Sequence, residues 1–171
     1  MNSLYNGDCL DYMQNDMFVG QANIAITSPP YNMNLRIKYG KYLKRSEKSK
    51  ISTKYKNYKD NLSMEEYYEW NKNIIHYLTQ ISDLVFYNVQ FLTGNKRALF
   101  KLIGDYNEHL KEIIIWNKIN AQPAMSQQVL NSQYEVLLVF DKHNAISRQF
   151  DTGTFDRGTL SNVWDIKRGK K

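Results

Sequence analysis

The run Ile24-Ala25-Ile26-Thr27 followed by Ser28-Pro29-Pro30-Tyr31 limits what this chain can fold into more than any other stretch. The first four residues read as a short apolar strand, and two consecutive prolines, neither with an N–H to give, end its ladder at Ser28. The second proline restricts the first to extended geometry, so the backbone beyond Ser28 is stiff and offers its carbonyls as acceptors. Adjacent prolines arise by chance at about one position in 400 when usage is roughly 5%, and this chain has only three prolines. A strand ending in a proline turn would explain the pair alone. It does not explain Ser28 before it and Tyr31 after it.

Those flanking residues suit a flat base carrying an amine. The Ser28 hydroxyl accepts a hydrogen bond from an exocyclic NH₂, the proline carbonyls cannot relax away from it, and the Tyr31 ring offers a stacking face. Leu4-Tyr5-Asn6-Gly7-Asp8-Cys9-Leu10 lies upstream. Read from its residues alone, it is a strand end leading into a helix with Asp8 as N-cap.

Taken together, the two segments resemble the amino-methylating DNA methyltransferases, whose motif reads Ser/Asp/Asn-Pro-Pro-Tyr/Phe. Their order resembles the permuted members, in which the catalytic half precedes the cofactor half. The resemblance implies transfer of a methyl group from S-adenosylmethionine to cytosine N4 or adenine N6, in settings of DNA methylation and restriction–modification. Ser28, Pro29, Pro30 and Tyr31 would then hold the target base, and Asp8 and Cys9 would lie at the cofactor. Serine at the first motif position leans towards cytosine N4, as in the family. Trp116-Asn117-Lys118, Glu135-Val136-Leu137-Leu138-Val139-Phe140 and Asn162-Val163-Trp164-Asp165-Ile166 are similar to the family as well.

Charge supplies the second clue. Between Arg36 and Lys59, ten basic residues face the single acid Glu47, so this segment carries +9 of a net +6 and leaves −3 for the rest of the chain. Arg36, Lys38, Lys41, Lys44, Arg45, Lys48 and Lys50 are interleaved with Tyr39 and Tyr42 and show no apolar period, which predicts a mobile basic loop over 35–60. A solvated loop is the ordinary reading of such a stretch. Placed directly after a base-binding tip, it is the expected contact to the phosphates of double-stranded DNA. Gln122 to Asn131, polar and Gln-rich, is the other segment suited to reading bases.

Downstream, Ser63-Met64-Glu65-Glu66 reads as a capping box opening a helix with Met64, Tyr67, Ile74, Leu78 and Ile81 near one face. Strands are expected at Leu84–Tyr87, Ile113–Trp116 and Tyr134–Phe140, with a helix over Lys96–Asn107. This alternation predicts one α/β domain over 1–171, a three-layer, mainly parallel Rossmann-like sheet with its site at strand C-termini. His76, His109 and His143 lack ligand spacing, so no metal site is expected. One cysteine suits a reducing cytoplasm, and no apolar run reaches the ~18 residues of a membrane helix.

The family's Asp-Pro-Phe-x-Gly-x-Gly-Thr cofactor segment is not found. Gly153 and Gly158 follow no apolar strand, and Gly94 opens a helix without a glycine partner. In the family that segment also supplies the strand beside the one bearing the motif, so the sheet is expected to be incomplete, with an uncovered apolar edge at Ile24–Thr27. A second subunit with the glycine-rich turn, a copy of this chain, or Ser3-Leu4-Tyr5 as a replacement strand would cover it. Three readings follow: a catalytic half active with a partner, a relic that binds DNA or protein without catalysis, and an unrelated basic nucleic-acid-binding module.

Overall fold

The computed structural model describes residues 4–14, 22–33, 36–38, 41–42, 52–53, 58–120, 124, 127–143, 145, 147–151 and 153–167. In chain order the elements are α1 (Cys9–Met13), β1 (Ala22–Thr27), β2 (Arg36–Lys38), β3 (Lys41–Tyr42), β4 (Ser52–Thr53), α2 (Met64–Ile81), β5 (Ser82–Val89), α3 (Lys96–Asp105), β6 (Leu110–Asn117), β7 (Tyr134–Asp141) and β8 (Val163–Asp165).

Local chemistry sets the helix starts. Asp8 accepts from the Leu10 N–H at 2.9 Å and caps α1. Ser63 and Glu66 close the expected capping box on α2: the Glu66 N–H donates to Ser63 Oγ at 3.2 Å and the Ser63 N–H to Glu66 Oε2 at 2.8 Å. These bonds satisfy amide groups that a helix start would otherwise leave unpaired. The helix then buries Tyr67, Tyr68, Ile74, Ile75 and Leu78, which pack with Ala98, Leu99 and Leu102 of α3 and with Val85, Tyr87, Val89, Val136, Leu138 and Phe140 of the sheet.

The main sheet has the order β1-β5-β7-β6-β8. Two of its pairings are parallel, β1 with β5 and β6 with β8, and two are antiparallel, both made by β7. The sheet is therefore mixed where alternation of strands and helices predicts mainly parallel pairing. The cause lies between β6 and β7: no helix is described there, so β7 returns alongside β6 in the opposite direction and inserts between β6 and β5.

Helices occupy one face of this sheet. On the other face a cavity of about 680 Å³ is lined by Leu84, Phe86 and Ile114 of the sheet, by Trp164 of β8, and by Phe150, Phe155 and Leu160 from irregular chain. Among the described residues β1 pairs on one side only, and Ile24 and Ile26 are 52% and 76% exposed. The expected apolar edge is therefore present. Leu4 and Tyr5 do not cover it: both are exposed and neither lies in a strand, while Ser3 is outside the described residues.

The expectation of a loop over 35–60 needs correction. Arg36–Lys38, Lys41–Tyr42 and Ser52–Thr53 form a three-stranded antiparallel sheet of order β3-β2-β4, with Lys38 opposite Lys41 and Arg36 opposite Thr53. The missed signal is short: Ile37 among long-stemmed cations, then two residues including Gly40 before the next strand. Lys44, Arg45, Lys48 and Lys50 lie outside the described residues.

Candidate active site

Because β7 runs opposite to its neighbours, its first residues lie at the same end of the sheet as the last residues of β1, β5 and β6. Ser28 follows β1, Asn88 is near the end of β5, Lys118 follows β6 and Glu135 is near the start of β7. The register makes this concrete, with Thr27 opposite Tyr87, Asn88 opposite Leu137 and Trp116 opposite Glu135. Four segments distant in sequence thus meet at one edge.

Their side chains form a continuous polar cluster. The Tyr31 hydroxyl donates to Glu135 Oε2 at 2.8 Å and lies 3.0 Å from Ser28 Oγ. Asn88 Nδ2 lies 2.7 Å from the Tyr31 hydroxyl, 2.8 Å from Glu135 Oε2 and 3.3 Å from Ser28 Oγ. On its other oxygen Glu135 pairs with Lys118 Nζ at 3.2 Å, a largely buried ion pair with side chains 6% and 14% exposed. Ser28 is exposed at the rim, whereas Pro29 beneath it is buried.

The electrostatics follow from this packing. Burial pushes the Glu135 carboxyl upward, but hydrogen bonds from Asn88 and Tyr31 and the Lys118 charge outweigh it and hold the group below its ordinary value of 4.5. Burial pushes the Tyr31 phenol far above its ordinary 10; the Ser28 hydrogen bond opposes this in part, and the negative charge of Glu135 and the bond to it add to the rise. Tyr31 is a neutral phenol and Glu135 a carboxylate throughout the neutral range.

The loop that carries the motif is held from below. Asn32, 5% exposed, sits in the left-handed region at φ 54°, where asparagine is tolerated better than most residues. Its amide donates to the carbonyls of Leu62 and Gly94 at 2.9 and 3.1 Å and accepts from the Leu62 N–H at 2.7 Å. Asn95, 2% exposed, donates to the Tyr31 carbonyl at 2.7 Å, and Asp60 accepts from the Met33 N–H at 3.1 Å. Tyr67 of α2 donates to the Pro30 carbonyl at 2.8 Å, so of the two proline carbonyls that of Pro29 is left to a substrate among the described residues.

Ser28, Pro29, Pro30 and Tyr31 are thus brought together as one rigid tip. Asp8 and Cys9 lie at the start of α1, where Asp8 spends one oxygen on its cap and Cys9 is an exposed free thiol raised by partial burial and the neighbouring Asp8. Arg36, Lys38 and Lys41 fall on β2 and β3. Gln127 and Gln128 are exposed, and Gln122 lies outside the described residues. Trp116 and Trp164 are half-buried on the paired strands β6 and β8. Among the described residues there is no group of three His, Cys, Asp or Glu suited to a metal, and no helix is long and apolar enough to cross a membrane.

Sequence reasoning did not pick out Asn88, Lys118 or Glu135 as site residues. A polar Asn88 near the end of a buried strand and an acid opening the apolar run Val136–Phe140 are weak signals. Only the strand order joins them to Ser28.

Residues 22–169 match the family model described as DNA methylase. The fold is similar to the solved structure of PvuII DNA methyltransferase (cytosine-N4-specific), with a TM-score of 0.59 and 14% identity over 98% of this chain and 57% of that one. It is also similar to the M1.HpyAVI–SAM complex, with a TM-score of 0.46 and 14% identity over 97% of this chain and 66% of that one. This chain thus spans less than two thirds of the length of either. No curated protein matches it. With the family model covering the strand that bears Ser-Pro-Pro-Tyr and every element that packs around it from there to β8, the chain belongs to the DNA methylase family of N6/N4 methyltransferases.

Proposed function

We propose that this site is the target-base half of a site-specific DNA amino-methyltransferase that uses S-adenosylmethionine and favours cytosine N4 over adenine N6. The observation that carries this reading is the cluster of Ser28, Tyr31, Asn88 and Glu135 at the sheet end, where a rigid tip offers acceptors to an amine. Family membership supports it. The leaning towards cytosine rests on serine at the first motif position and on the neighbour named as cytosine-N4-specific.

In this reading the base leaves the duplex, its amine donates to Ser28 Oγ and the Pro29 carbonyl, and the Tyr31 ring packs on its face. No covalent intermediate on the protein is needed. Orientation of the amine nitrogen supplies most of the acceleration.

S-adenosylmethionine supplies an electrophilic methyl group. Two features weigh against a seat for it on the candidate glycine turn and on Asp8. Gly94, the glycine that stands between a strand and a helix, leaves room for this chain's own loop: a Cβ there would lie 2.7 Å from the Asn32 carbonyl oxygen. Asp8 has one oxygen committed to its helix cap. Our reading therefore assigns the seat to a second subunit with a glycine-rich turn, a second copy, or residues beyond those described.

Calorimetric titration of S-adenosylmethionine into the chain, with and without duplex DNA, tests this division. No micromolar binding is expected from the chain alone, and methyl transfer to DNA should appear once a glycine-rich partner is added and vanish in Ser28→Ala. Micromolar binding by the chain alone would overturn the need for a partner, and full activity in Ser28→Ala would overturn the role of the tip.

The basic segment after the tip is the proposed duplex contact. Neutralising Lys38, Lys41, Lys44 and Lys48 together should weaken DNA binding and reduce the salt slope of log K by about 3 to 4, since each phosphate contact contributes about 0.9. An unchanged slope, measured by fluorescence anisotropy between low and moderate salt, would remove these lysines from the interface.

A further inference from the structure

The direction of the hydrogen bonds in the cluster decides what Ser28 offers to a substrate. A Tyr31 hydroxyl has one proton, and a carboxylate oxygen 2.8 Å away accepts only, so that proton lies on the bond to Glu135. The 3.0 Å contact between Ser28 and Tyr31 must then use the serine's proton. Asn88 Nδ2 has two hydrogens and two near acceptors, Tyr31 at 2.7 Å and Glu135 at 2.8 Å, which leaves the 3.3 Å approach to Ser28 unfilled. Ser28 Oγ therefore keeps accepting capacity, and the residue is exposed at the rim.

We infer that Glu135 is a positioning residue that polarises the chain Ser28 to Tyr31 to Glu135, so that Ser28 presents an acceptor, and never its proton, to the amine of the target base. The inference deepens the reading of Ser28 as the amine-holding residue and rests on it. Reversed polarity would set a serine proton against an amine proton, two donors facing one another. The same carboxylate fixes the Asn88 amide. Turned over, that amide would bring its oxygen against Glu135, and in the observed orientation Asn88 Oδ1 is buried without a partner among the described residues. The bonds from Asn88 and Tyr31, helped by Lys118 on the far oxygen, keep the carboxylate charged.

Glu135→Gln tests the inference in the chain as it exists, without cofactor. A glutamine amide donates as well as accepts, which lets the Tyr31 proton turn to Ser28. The first readout is the titration of Tyr31 followed by NMR with ¹³C-labelled tyrosine, its signal identified by its loss in Tyr31→Phe. In the parent chain Tyr31 is expected to stay protonated beyond the pH at which exposed tyrosines ionise, near 10. In Glu135→Gln its transition should move down towards theirs, and Glu135→Asp should restore it in part.

The second readout is affinity for short single strands whose cytosine or adenine amine is free, against the same strands with that amine dimethylated. One well-made hydrogen bond gives the parent a preference of up to about tenfold, which should fall to near unity in Glu135→Gln. An unmoved Tyr31 titration, or a preference kept in Glu135→Gln, overturns the role of Glu135 and leaves the methyltransferase reading standing. No preference in the parent overturns that reading itself. If the single variant does not fold because Lys118 is left unpaired, Glu135→Gln with Lys118→Gln carries both readouts, judged by the same outcomes.

Discussion

Glu135→Leu should lower the unfolding free energy by about 3–5 kcal/mol, among the largest losses available to a single substitution near this site. The reason is what it leaves behind. Lys118, 6% exposed in its side chain, would keep a buried ammonium with no counter-charge, and Asn88 and Tyr31 would each lose an acceptor at 2.8 Å. Adding Lys118→Met removes the stranded charge, and Tyr31, Asn88 and Ser28 can still satisfy one another through the contacts of 2.7 and 3.0 Å. The double variant should therefore recover more than half of the loss, in line with buried ion pairs elsewhere whose apolar replacements are tolerated while single truncations are not. Urea unfolding of parent, single and double variants measures this. A double variant no more stable than the single one would show that the ion pair is not the source of the cost.

The same pair sets an acid dependence. The Glu135 carboxyl lies below its ordinary 4.5 in the folded chain, through bonds from Asn88 and Tyr31 and the charge of Lys118 that overcome burial. A folded value below the unfolded one means that the unfolded chain takes up the proton first on acidification. The contribution is thus complete above the ordinary carboxylate range and disappears as pH falls through the lower folded value. The stability gap between parent and Glu135→Leu should accordingly be widest near neutral pH and narrow in acid.

Much of the scaffold is legible without coordinates because its signals are local. The Ser63–Glu66 box, the apolar spacing from Met64 to Ile81 and the runs at Leu84–Tyr87 and Tyr134–Phe140 each depend on neighbours within a few residues, and α2, β5 and β7 lie where they indicate. The tip at Ser28–Tyr31 is legible for the same reason. Its partners are not, because no periodicity encodes strand order. Whether Glu135 stands beside Tyr31 or on the far side of the molecule depends on β7 entering between β5 and β6 in antiparallel sense, which the long connection from Asn117 to Tyr134 leaves open. The short strands at Arg36–Lys38 and Lys41–Tyr42 escape for a different reason, since two or three residues are too few for an alternation to register against a background of lysines.

Gly94→Ala should damage the site more than the fold. A Cβ at position 94 would lie 2.7 Å from the carbonyl oxygen of Asn32, and the obstacle is backbone, which cannot swing aside as a side chain does. Asn32 has little room to yield. It stands at φ 54°, with its amide bonded to Leu62 and to the Gly94 carbonyl itself, and the next anchor is the 2.7 Å bond from Asn95 to the Tyr31 carbonyl. Relief of the contact must push the loop carrying Tyr31 outward, loosening the bonds that align its hydroxyl with Glu135. Overpacking of this kind costs about 1–3 kcal/mol, and the preference for strands with a free amine should fall with it even where the chain stays folded. Gly104→Ala provides the contrast: nothing lies within 4 Å of its Cβ, and in α3 alanine should add about 0.5–1 kcal/mol through helix propensity while leaving the amine preference intact. A Gly94→Ala chain that matches the parent in both stability and amine preference would mean that the loop has slack which its contacts do not reveal, and that the tip is not held rigid from below.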